Sequence, residues 1–330
     1  MRVVQVHVPG GPDTLRIVDV AMPQPGPGQV RVKAHAIGVG GPDRLIRKGT
    51  YKWMPPLPAV PGNEMAGVID AVGAGVTQWA AGQRVLVSSR ELPERGGCYA
   101  EAICVPEDAP FALPDAVSLD AAVSLGNFQL AHALLLGCNG GLPVKSILVP
   151  GAAGGVAGAL TQLARHHGMY VIGTASTAEK REFALANGAH VVLEPDAAML
   201  PDRVLAHTSG RGVDLAFDHL GGTMLIACIR SLAPLGTAIS YNIVSGAPAS
   251  DVFTELRLLL GKSLAVRTFS IHTFDQDRAQ RRGLMESAIR LMAAGHVQAP
   301  PATVMPLADV QAMHTLLDSG QALGKLILRP

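Results

Sequence analysis

Short apolar runs separated by glycine and proline turns fill the first 120 residues of the chain. These runs lie at residues 3–8, 15–20, 30–36, 65–72, 84–87 and 99–105. Runs of this length, bounded by turn residues, are typical of β-strands. The pattern therefore predicts a β-rich N-terminal part. The cluster of prolines and glycines at residues 23–28 is expected to be a loop between two of its strands.

From about residue 122, strand-like runs alternate with helical ones. Strands are predicted at residues 147–149, 170–174, 190–193, 213–217, 237–241 and 264–269, and helices from Gly155, Ala178, Ala197, Thr223 and Val252. Parallel strands require crossover connections, and the intervening helices would supply them. This part is therefore predicted to be a doubly wound parallel sheet of the α/β class.

The last 60 residues carry a different pattern again. A charged helix is predicted over residues 275–294, a helical segment over 308–319 and a final strand over 325–328. We expect this tail to return to the β-rich part. The predicted domains are therefore residues 1–121 with 270–330, and residues 122–269.

Residues 146–164 contain no charged side chain and are nearly long enough to span a bilayer. The segment begins with the strand-like run at residues 147–149, however, and a helical pattern starts only after a cluster of glycines. We interpret it as a strand, a turn and a helix rather than a membrane span.

Composition narrows the class of protein. The 330 residues have a net charge of +1, 48% are hydrophobic and 16% are charged. This balance excludes a disordered chain and disfavours nucleic-acid binding, because it supplies no broad attraction for phosphate. The four cysteines form no Cys-x-x-Cys pair. We expect reduced thiols in a cytoplasmic protein, with no secretory signal at the N-terminus.

A glycine-rich turn follows the strand at residues 147–149. Relative to the Gly-x-Gly-x-x-Gly fingerprint, Ala152 stands at the first glycine position, Gly154 at the second and Ala157 at the third. Gly155 and Val156 then begin a helix. Glycine lets the backbone approach a diphosphate, and a helix N-terminus offers free N–H groups to it. The pattern predicts a dinucleotide site; a merely structural tight turn is the alternative.

The residues after the next strand indicate which dinucleotide binds. Sites for NAD usually carry an acidic residue about 20 positions after the turn. Here that position is Ala175, flanked by Thr174 and Ser176, with Lys180 soon after. We predict that Ser176 and Lys180 contact the additional phosphate of NADPH, with Arg181 as a substitute. The alternative is an ordinary helix cap followed by surface charges.

The chain resembles the zinc-independent branch of the medium-chain dehydrogenase/reductase superfamily over almost its whole length. The similarity is carried by residues 31–33 (Arg-Val-Lys), 43–51, 61–64 (Pro-Gly-Asn-Glu), 152–156 and 324–325 (Gly-Lys). The nearest subfamilies are NADPH:quinone oxidoreductases and 2-enoyl thioester reductases. The resemblance implies a Rossmann nucleotide domain and a partly open, β-barrel-like (GroES-like) catalytic domain, with the cofactor in the cleft between them.

The resemblance also bears on metals. Zinc-dependent relatives bind the catalytic metal through a cysteine and a histidine whose positions here are Gly40 and Asn63. Glycine has no ligating side chain, and an amide is a poor zinc ligand. We therefore expect no metal, and Asp43 is expected to anchor its loop rather than to take part in chemistry.

Further roles follow from the same resemblance. Tyr51 is the expected hydrogen-bond donor to a substrate carbonyl, and the alternative is a packed aromatic without a proton role. Asn127 and Gln129 are expected to contact the substrate, although an N-cap role for Asn127 is equally open. The pocket is expected to include Trp53 and Phe274. The expected cofactor contacts are Gly154, Gly155, Val156, Thr174, Ser176, Lys180, Tyr241, Ile243, Val244, Phe269, Ser270 and Lys325.

These expectations define a function. Without a metal, reduction of a quinone or an activated C=C bond is easier than alcohol oxidation, because nothing stabilises an alkoxide. We predict an NADPH-dependent reductase of quinones, enones or enoyl thioesters. Arg47, Lys48 and Lys52 are potential contacts for a coenzyme A thioester, although a solvated charge run is the preferred interpretation. The alternatives are a non-catalytic, crystallin-like NADPH binder and a zinc-dependent alcohol dehydrogenase. The resemblance implies a homodimer through the strand at residues 264–269.

Overall fold

The computed structural model describes residues 1–138 and 140–330, which form two compact units. The first unit comprises Met1–Gly126, Ile289–Gly295 and Ala299–Pro330, and the second comprises Asn127–Ala288 and His296–Gln298. The units thus change at residues 127 and 289, whereas the sequence placed domain boundaries at 122 and 270. The predicted domain ranges remain a prediction about functional domains.

The N-terminal part is β-rich. Its strands are β1 (Arg2–Val6), β2 (Leu15–Asp19), β3 (Gln29–Val39), β4 (Glu64–Val72), β5 (Arg84–Ser88), β6 (Ala102–Pro106) and β7 (Phe111–Ala112), and its helices are α1 (Gly41–Arg47) and α2 (Leu119–Ala122). The strands coincide with the apolar runs of the sequence, apart from β7. Helix α1 lies in a segment for which the sequence pattern predicted no element.

The second unit alternates helices and strands. In chain order its elements are α3 (Leu125–Gly137, which begins two residues before the unit), β8 (Ser146–Val149), α4 (Gly155–His166), β9 (Tyr170–Thr174), α5 (Ala178–Ala186), β10 (Val191–Leu193), α6 (Leu200–His207), β11 (Val213–Asp218), α7 (Gly222–Arg230), β12 (Leu232–Ser240), α8 (Val252–Leu258) and β13 (Ala265–Thr268). All neighbouring strands pair in parallel, in the order β10-β9-β8-β11-β12-β13. The predicted doubly wound sheet is therefore confirmed, and helix α6 starts at Leu200 rather than at Ala197.

The remaining elements are α9 (Arg278–Ala293), β14 (Ala302–Pro306), α10 (Val310–Ser319) and β15 (Lys325–Arg329). Strand β15 pairs with β3 in an antiparallel ladder and with β14 in a parallel one. The resulting sheet has the order β14-β15-β3-β4-β5-β7, with β6 also paired to β3. Strands β14 and β15 of the C-terminal tail thus join the sheet of the first unit, whereas residues 270–288 belong to the second unit.

Burial in the two sheets explains their sequence patterns. In the first part of β3, every second side chain, such as Val30 and Val32, is buried in the core of the first unit. The alternation arises because an antiparallel sheet commonly buries one face and leaves the other accessible. Strand β8 is buried along its whole length, as expected for a central parallel strand covered by helices on both faces. Among the described residues, no helix is both long and apolar enough to cross a bilayer.

The strand order fixes where a ligand would bind in the second unit. The order reverses between β8 and β11, so that the chain runs outward in opposite directions from this pair. Open α/β sheets bind ligands in the crevice at the carboxyl ends of the strands at such a switch point. A ligand is therefore expected at the turn after β8 and the turn after β11.

Candidate active site

The turn between β8 and α4 is tied to the neighbouring strand β9. The Ala152 N–H donates to the Thr174 carbonyl at 2.8 Å, and the Gly151 N–H donates to Thr174 Oγ1 at 3.2 Å. Gly154 is the N-cap of α4, and no side chain caps the first amides of this helix. The predicted cofactor residue Thr174 thus holds a turn that presents an uncapped helix N-terminus. Such a terminus suits an anionic diphosphate.

The imperfect glycine fingerprint has a structural explanation. Ala152, at the first glycine position, is fully buried. An ideal Cβ built on Gly173 would lie only 2.7 Å from the Ala152 Cβ atom. The missing side chain at Gly173 in β9 therefore makes the room that the Ala152 methyl group occupies.

Two side chains border the turn. An ideal Cβ on Gly151, whose φ is +62°, would lie 2.6 Å from the imidazole Cε1 of His219. A Cβ on Gly155 would lie 2.5 Å from Asn127 Nδ2. Asn127 was predicted from the sequence, and His219 was not. The signal for His219 is its place directly after β11, next to the switch point.

The carboxyl end of β11 is polar and buried. Asp218 is fully buried and accepts hydrogen bonds from the Leu220 and Gly221 N–H groups at 3.0 and 2.9 Å. Burial raises the pKa of Asp218 to about 6. The His219 Nδ1 atom lies 3.4 Å from the Tyr241 hydroxyl, and burial lowers the pKa of His219 to about 4. Burial also raises the pKa of the predicted cofactor residue Tyr241, so both partners are neutral near pH 7.

The predicted phosphate-contact residues follow β9. Ser176 is exposed, and the next residue, Thr177, is the N-cap of α5 and accepts from the Lys180 N–H at 3.2 Å. The capping role is thus filled by Thr177. The guanidinium of Arg181, the predicted substitute, donates to the Ala175 carbonyl at 3.4 Å. Ser176 itself is not the cap of the helix.

The loops after β12 and β13 contain the other predicted contacts of the second unit. Ile243 and Val244 are more than half exposed. The rings of Phe269 and Phe274 lie 6.3 Å apart between centroids. Ser270 accepts from the His272 N–H at 3.3 Å and so caps the short helical turn that ends at Phe274.

The predicted substrate residues on α3 have different surroundings. Gln129 is buried, and its side-chain amide donates to the Arg281 carbonyl at 2.9 Å. Asn127 lies inside α3, which begins at Leu125, so the alternative N-cap role for it is wrong. Asn127 lies beside the glycine turn and Gln129 is bonded within the unit. Their contact with substrate remains a prediction.

In the first unit, the candidate catalytic segment follows α1. The N–H of Thr50 donates to the Leu45 carbonyl at 3.0 Å, and Gly49 has a φ of +68°, which ends the helix. The Tyr51 and Trp53 rings lie 5.7 Å apart, and the Lys52 ammonium lies 5.4 Å from the Trp53 ring centroid. Tyr51 and Trp53, both predicted from the sequence, are thus neighbours.

Asp43 organises the loops around this segment. Its carboxylate accepts from the Gly40 N–H at 2.8 Å, the Gly62 N–H at 3.0 Å and Asn63 Nδ2 at 2.9 Å. Burial raises the pKa of Asp43 to about 6. These contacts match the anchoring role that the sequence predicted for this residue.

The contacts of Asn63 show whether this side chain could bind a catalytic zinc ion. The side chain of Asn63 donates to Asp43, and its Oδ1 accepts from the Ser89 hydroxyl at 3.1 Å. Within residues 1–138 and 140–330, no three His, Cys, Asp or Glu side chains are grouped to hold a metal ion. The donor set at Gly40 and Asn63 therefore does not fit the metal.

Lys325 opens β15 and donates from Nζ to Glu64 Oε1. The two side chains are 6% and 15% exposed. An ideal Cβ on Gly38 would lie 2.6 Å from the Glu64 carboxylate, so this glycine makes room for the ion pair. The predicted contact between Lys325 and the cofactor remains a prediction, and its ammonium already has a carboxylate partner.

A buried polar network lies beneath the Tyr51 segment. Arg47, the last residue of α1, is completely buried. Its Nη2 donates to Asp318 Oδ2 at 2.6 Å, and its Nη1 lies 3.2 Å from His314 Nδ1. The His314 Nε2 atom lies 3.0 Å from the Tyr99 hydroxyl. The interpretation of Arg47 as part of a solvated charge run is therefore wrong, because helix α10 covers this side chain.

This network predicts a pH effect. Burial lowers the pKa of His314 from 6.5 to about 4, and the Arg47 charge contributes. Between these values the unfolded chain binds a proton that the folded protein does not, so acid favours unfolding. Chemical denaturation at pH 6.5 and pH 4 should show wild type losing about 2–3 kcal/mol relative to His314→Gln. An unchanged difference between the two proteins would contradict this assignment.

Two family profiles match the chain over most of both units. A profile described as an alcohol dehydrogenase GroES-like domain covers residues 26–115, and one described as a zinc-binding dehydrogenase covers residues 155–289. Together with the parallel sheet and its glycine turn, these matches define a medium-chain dehydrogenase/reductase.

Individual relatives narrow the class. The quinone oxidoreductase of Rattus norvegicus is 32% identical over 334 residues, which cover 99% of this chain and 97% of the relative. The structure of Escherichia coli quinone oxidoreductase complexed with NADPH has a TM-score of 0.86 and 29% identity, with 100% of both chains covered. A 2-haloacrylate reductase has a TM-score of 0.81 and 29% identity, with 100% of this chain and 99% of the other covered. The chain belongs to the quinone oxidoreductase-like members of the medium-chain dehydrogenase/reductase superfamily.

Proposed function

We propose that this protein is an NADPH-dependent reductase of quinones or activated C=C bonds that works without zinc. The observation that carries the proposal is the uncapped N-terminus of α4, whose preceding turn is fixed by Thr174. The NADPH complex of the E. coli relative supports the choice of cofactor. The 2-haloacrylate reductase supports an electrophilic C=C bond as the reacting group.

The residues of the second unit would bind the cofactor. The backbone amides of Gly155 and Val156 face the diphosphate in this proposal, and Ser176 and Lys180 bind the 2′-phosphate. When bound, NADPH supplies a hydride for an electrophilic carbon conjugated to a carbonyl. The exposed apolar side chains of Ile243 and Val244 would cover an apolar ring and exclude water from it.

The residues of the first unit would serve the substrate. Negative charge develops on the carbonyl oxygen of an enone or quinone as the carbon accepts hydride. The Tyr51 hydroxyl is proposed to donate a hydrogen bond to that oxygen. Trp53, whose ring lies beside that of Tyr51, would limit the directions that Tyr51 can take.

Replacing Tyr51 with phenylalanine tests this assignment. Removing one donor to a developing oxyanion lowers kcat about 100-fold, while NADPH binding should not change. The measurement is NADPH consumption with a panel of quinones, enones and enoyl thioesters, followed by absorbance. Tyr170→Phe, in β9 of the second unit, is the matched control.

The panel also separates the alternatives. A crystallin-like binder would bind NADPH and consume it with none of the panel. A zinc-dependent alcohol dehydrogenase would contain zinc in stoichiometric amount and oxidise alcohols, against the poor fit of Asn63 as a ligand. Either result would overturn the proposed reaction.

Cofactor preference depends on Ser176 and Lys180. In the double variant Ser176→Ala/Lys180→Ala, the affinity for NADPH should fall about 10- to 100-fold, because charge-assisted hydrogen bonds are lost. Affinity for NADH should stay the same, since NADH lacks the 2′-phosphate. Fluorescence titration with both dinucleotides measures this, with Lys145→Ala, an exposed lysine before β8, as the control. Equal loss for both cofactors would refute the assignment.

The homodimer belongs to the same proposal. Strand β13 is the edge of its sheet, and Ala265, Arg267 and Thr268 on it are exposed. An exposed edge strand has free backbone groups that can pair with a second copy of the chain.

A further inference from the structure

His219 and the glycine turn follow the two neighbouring strands that form the switch point. His219 follows β11, and the turn at Gly151 follows β8, its neighbour in the sheet. The Cε1 and Nε2 atoms of His219 lie 2.6 and 3.1 Å from the position that a Cβ on Gly151 would take. The imidazole edge that carries Nε2 is thus directed at the backbone of the turn.

The Tyr241 hydroxyl is the neighbour of His219 Nδ1, and the tautomer of the imidazole decides which of the two groups donates. The phenol of Tyr241 stays protonated because burial raises its pKa, and its hydroxyl lies 3.4 Å from His219 Nδ1. A hydroxyl that donates to Nδ1 requires the ring proton to be on Nε2. Among the described residues, no hydrogen-bond partner of Nε2 is found. In the tautomer whose Nδ1 accepts from Tyr241, the one ring N–H is on Nε2, on the side of the turn.

The neighbouring carboxylate and the charge state of the ring both bear on this donor. The carboxylate of the preceding residue, Asp218, is occupied by the Leu220 and Gly221 N–H groups. His219 itself is neutral at pH 7, since burial lowers its pKa to about 4. Burial of a neutral donor costs less free energy than burial of a cation. A hydrogen bond from a neutral donor is still stronger when its acceptor is an anion.

We propose that His219 is a cofactor-positioning residue whose Nε2–H donates a hydrogen bond to the diphosphate bridge of the dinucleotide, with Tyr241 fixing the ring. The inference rests on the proposed function, because it requires that a dinucleotide binds at the glycine turn. It adds a side-chain donor at the diphosphate, which the proposed function otherwise assigns to the backbone amides of Gly155 and Val156. The absence of a side chain at Gly151 leaves room for the imidazole, because a Cβ there would lie 2.6 Å from His219 Cε1.

Binding measurements on the whole protein test the proposal. Loss of a hydrogen bond to a charged group lowers affinity about 10- to 100-fold. His219→Leu should therefore lower the affinity for NADPH by this factor in a fluorescence titration. His219→Gln keeps an N–H donor at a similar reach, so it should bind within about threefold of wild type. His207→Leu, at an exposed histidine in α6 of the same unit, should bind as wild type does.

A second ligand separates positioning from general damage. Adenosine 2′-monophosphate lacks the diphosphate, so its affinity should be the same for His219→Leu and wild type in a competition titration. Equal weakening of both ligands, or no weakening of NADPH, would overturn the role of His219 while leaving the proposed function intact. Wild-type protein that binds no NADPH at all would overturn both.

Discussion

Replacing Gly173 with alanine is expected to lower the free energy of unfolding by about 1–3 kcal/mol, the usual range for overpacking a core. The new methyl group would lie 2.7 Å from the Ala152 Cβ atom, well inside van der Waals contact. Ala152, in the turn after β8, and Gly173, in β9, are both buried, and the Ala152 N–H donates to the carbonyl of the next residue in β9, Thr174. The strain therefore falls on the glycine turn.

The same change should also impair cofactor use. Thr174, the residue after Gly173, bonds to the Gly151 and Ala152 N–H groups and so sets the position of the turn. A shift of about 1 Å in a binding group can reduce turnover about 100-fold. We expect a loss of this size in kcat/KM for NADPH. Denaturation and steady-state kinetics on the one variant measure the two effects.

A compensating change makes this prediction specific. In the double variant Gly173→Ala/Ala152→Gly, the methyl group moves from the turn after β8 to the neighbouring strand β9, and most of the lost stability and activity should return. Gly283→Ala, in the middle of α9 with no atom near the added Cβ, should instead stabilise the protein by about 0.5–1 kcal/mol. Failure of the double variant to recover would show that the pair is not coupled.

This pair also shows how far the sequence could be read. The alternation of strands and helices predicted the doubly wound sheet, because hydrophobic periodicity is a local property of the chain. The glycine turn was found for the same reason. The sequence alone did not show that Gly173 compensates for Ala152, because the two residues come together only when β8 and β9 pair.

Local signals were also misleading in places. The segment at Gly40 and Gly41 carries the glycines and proline of a turn, yet α1 begins there, because the Asp43 carboxylate accepts from the Gly40 N–H. Proline in the first turn of a helix is compatible with this start. Helix α6 begins at Leu200, since Asp196 accepts from the Ala198 N–H and so forms a turn before it.

The site residues that were predicted differ from those that were missed in how far their contacts depend on the fold. Tyr51, Thr174 and the glycines after β8 were predicted because each belongs to a short contiguous motif. His219 was missed because its significance depends on strand order: it lies after β11, which the fold places next to β8. The burial of Arg47 depends on α10, which is more than 200 residues further along the chain.

The second large effect concerns that arginine. Asp318→Asn is expected to lower the free energy of unfolding by about 3–5 kcal/mol, the range for removing one partner of a buried ion pair. The Arg47 guanidinium is completely buried and would lose its only carboxylate partner among the described residues. His314 cannot replace the lost charge, because it is neutral and its pKa is lowered further by Arg47.

Removing the arginine instead of the aspartate should cost less free energy of unfolding. This difference would distinguish the desolvation of a buried charge from the loss of one hydrogen bond. In Arg47→Met the buried charge is gone, and the remaining Asp318 carboxylate, with its side chain 28% exposed, can be solvated by water. Asp115→Asn, which removes an exposed partner of Arg84, should change stability by less than about 1 kcal/mol. Urea denaturation of the three variants measures these differences. If Arg47→Met proved as damaging as Asp318→Asn, the desolvation of Arg47 would not be what makes this network sensitive.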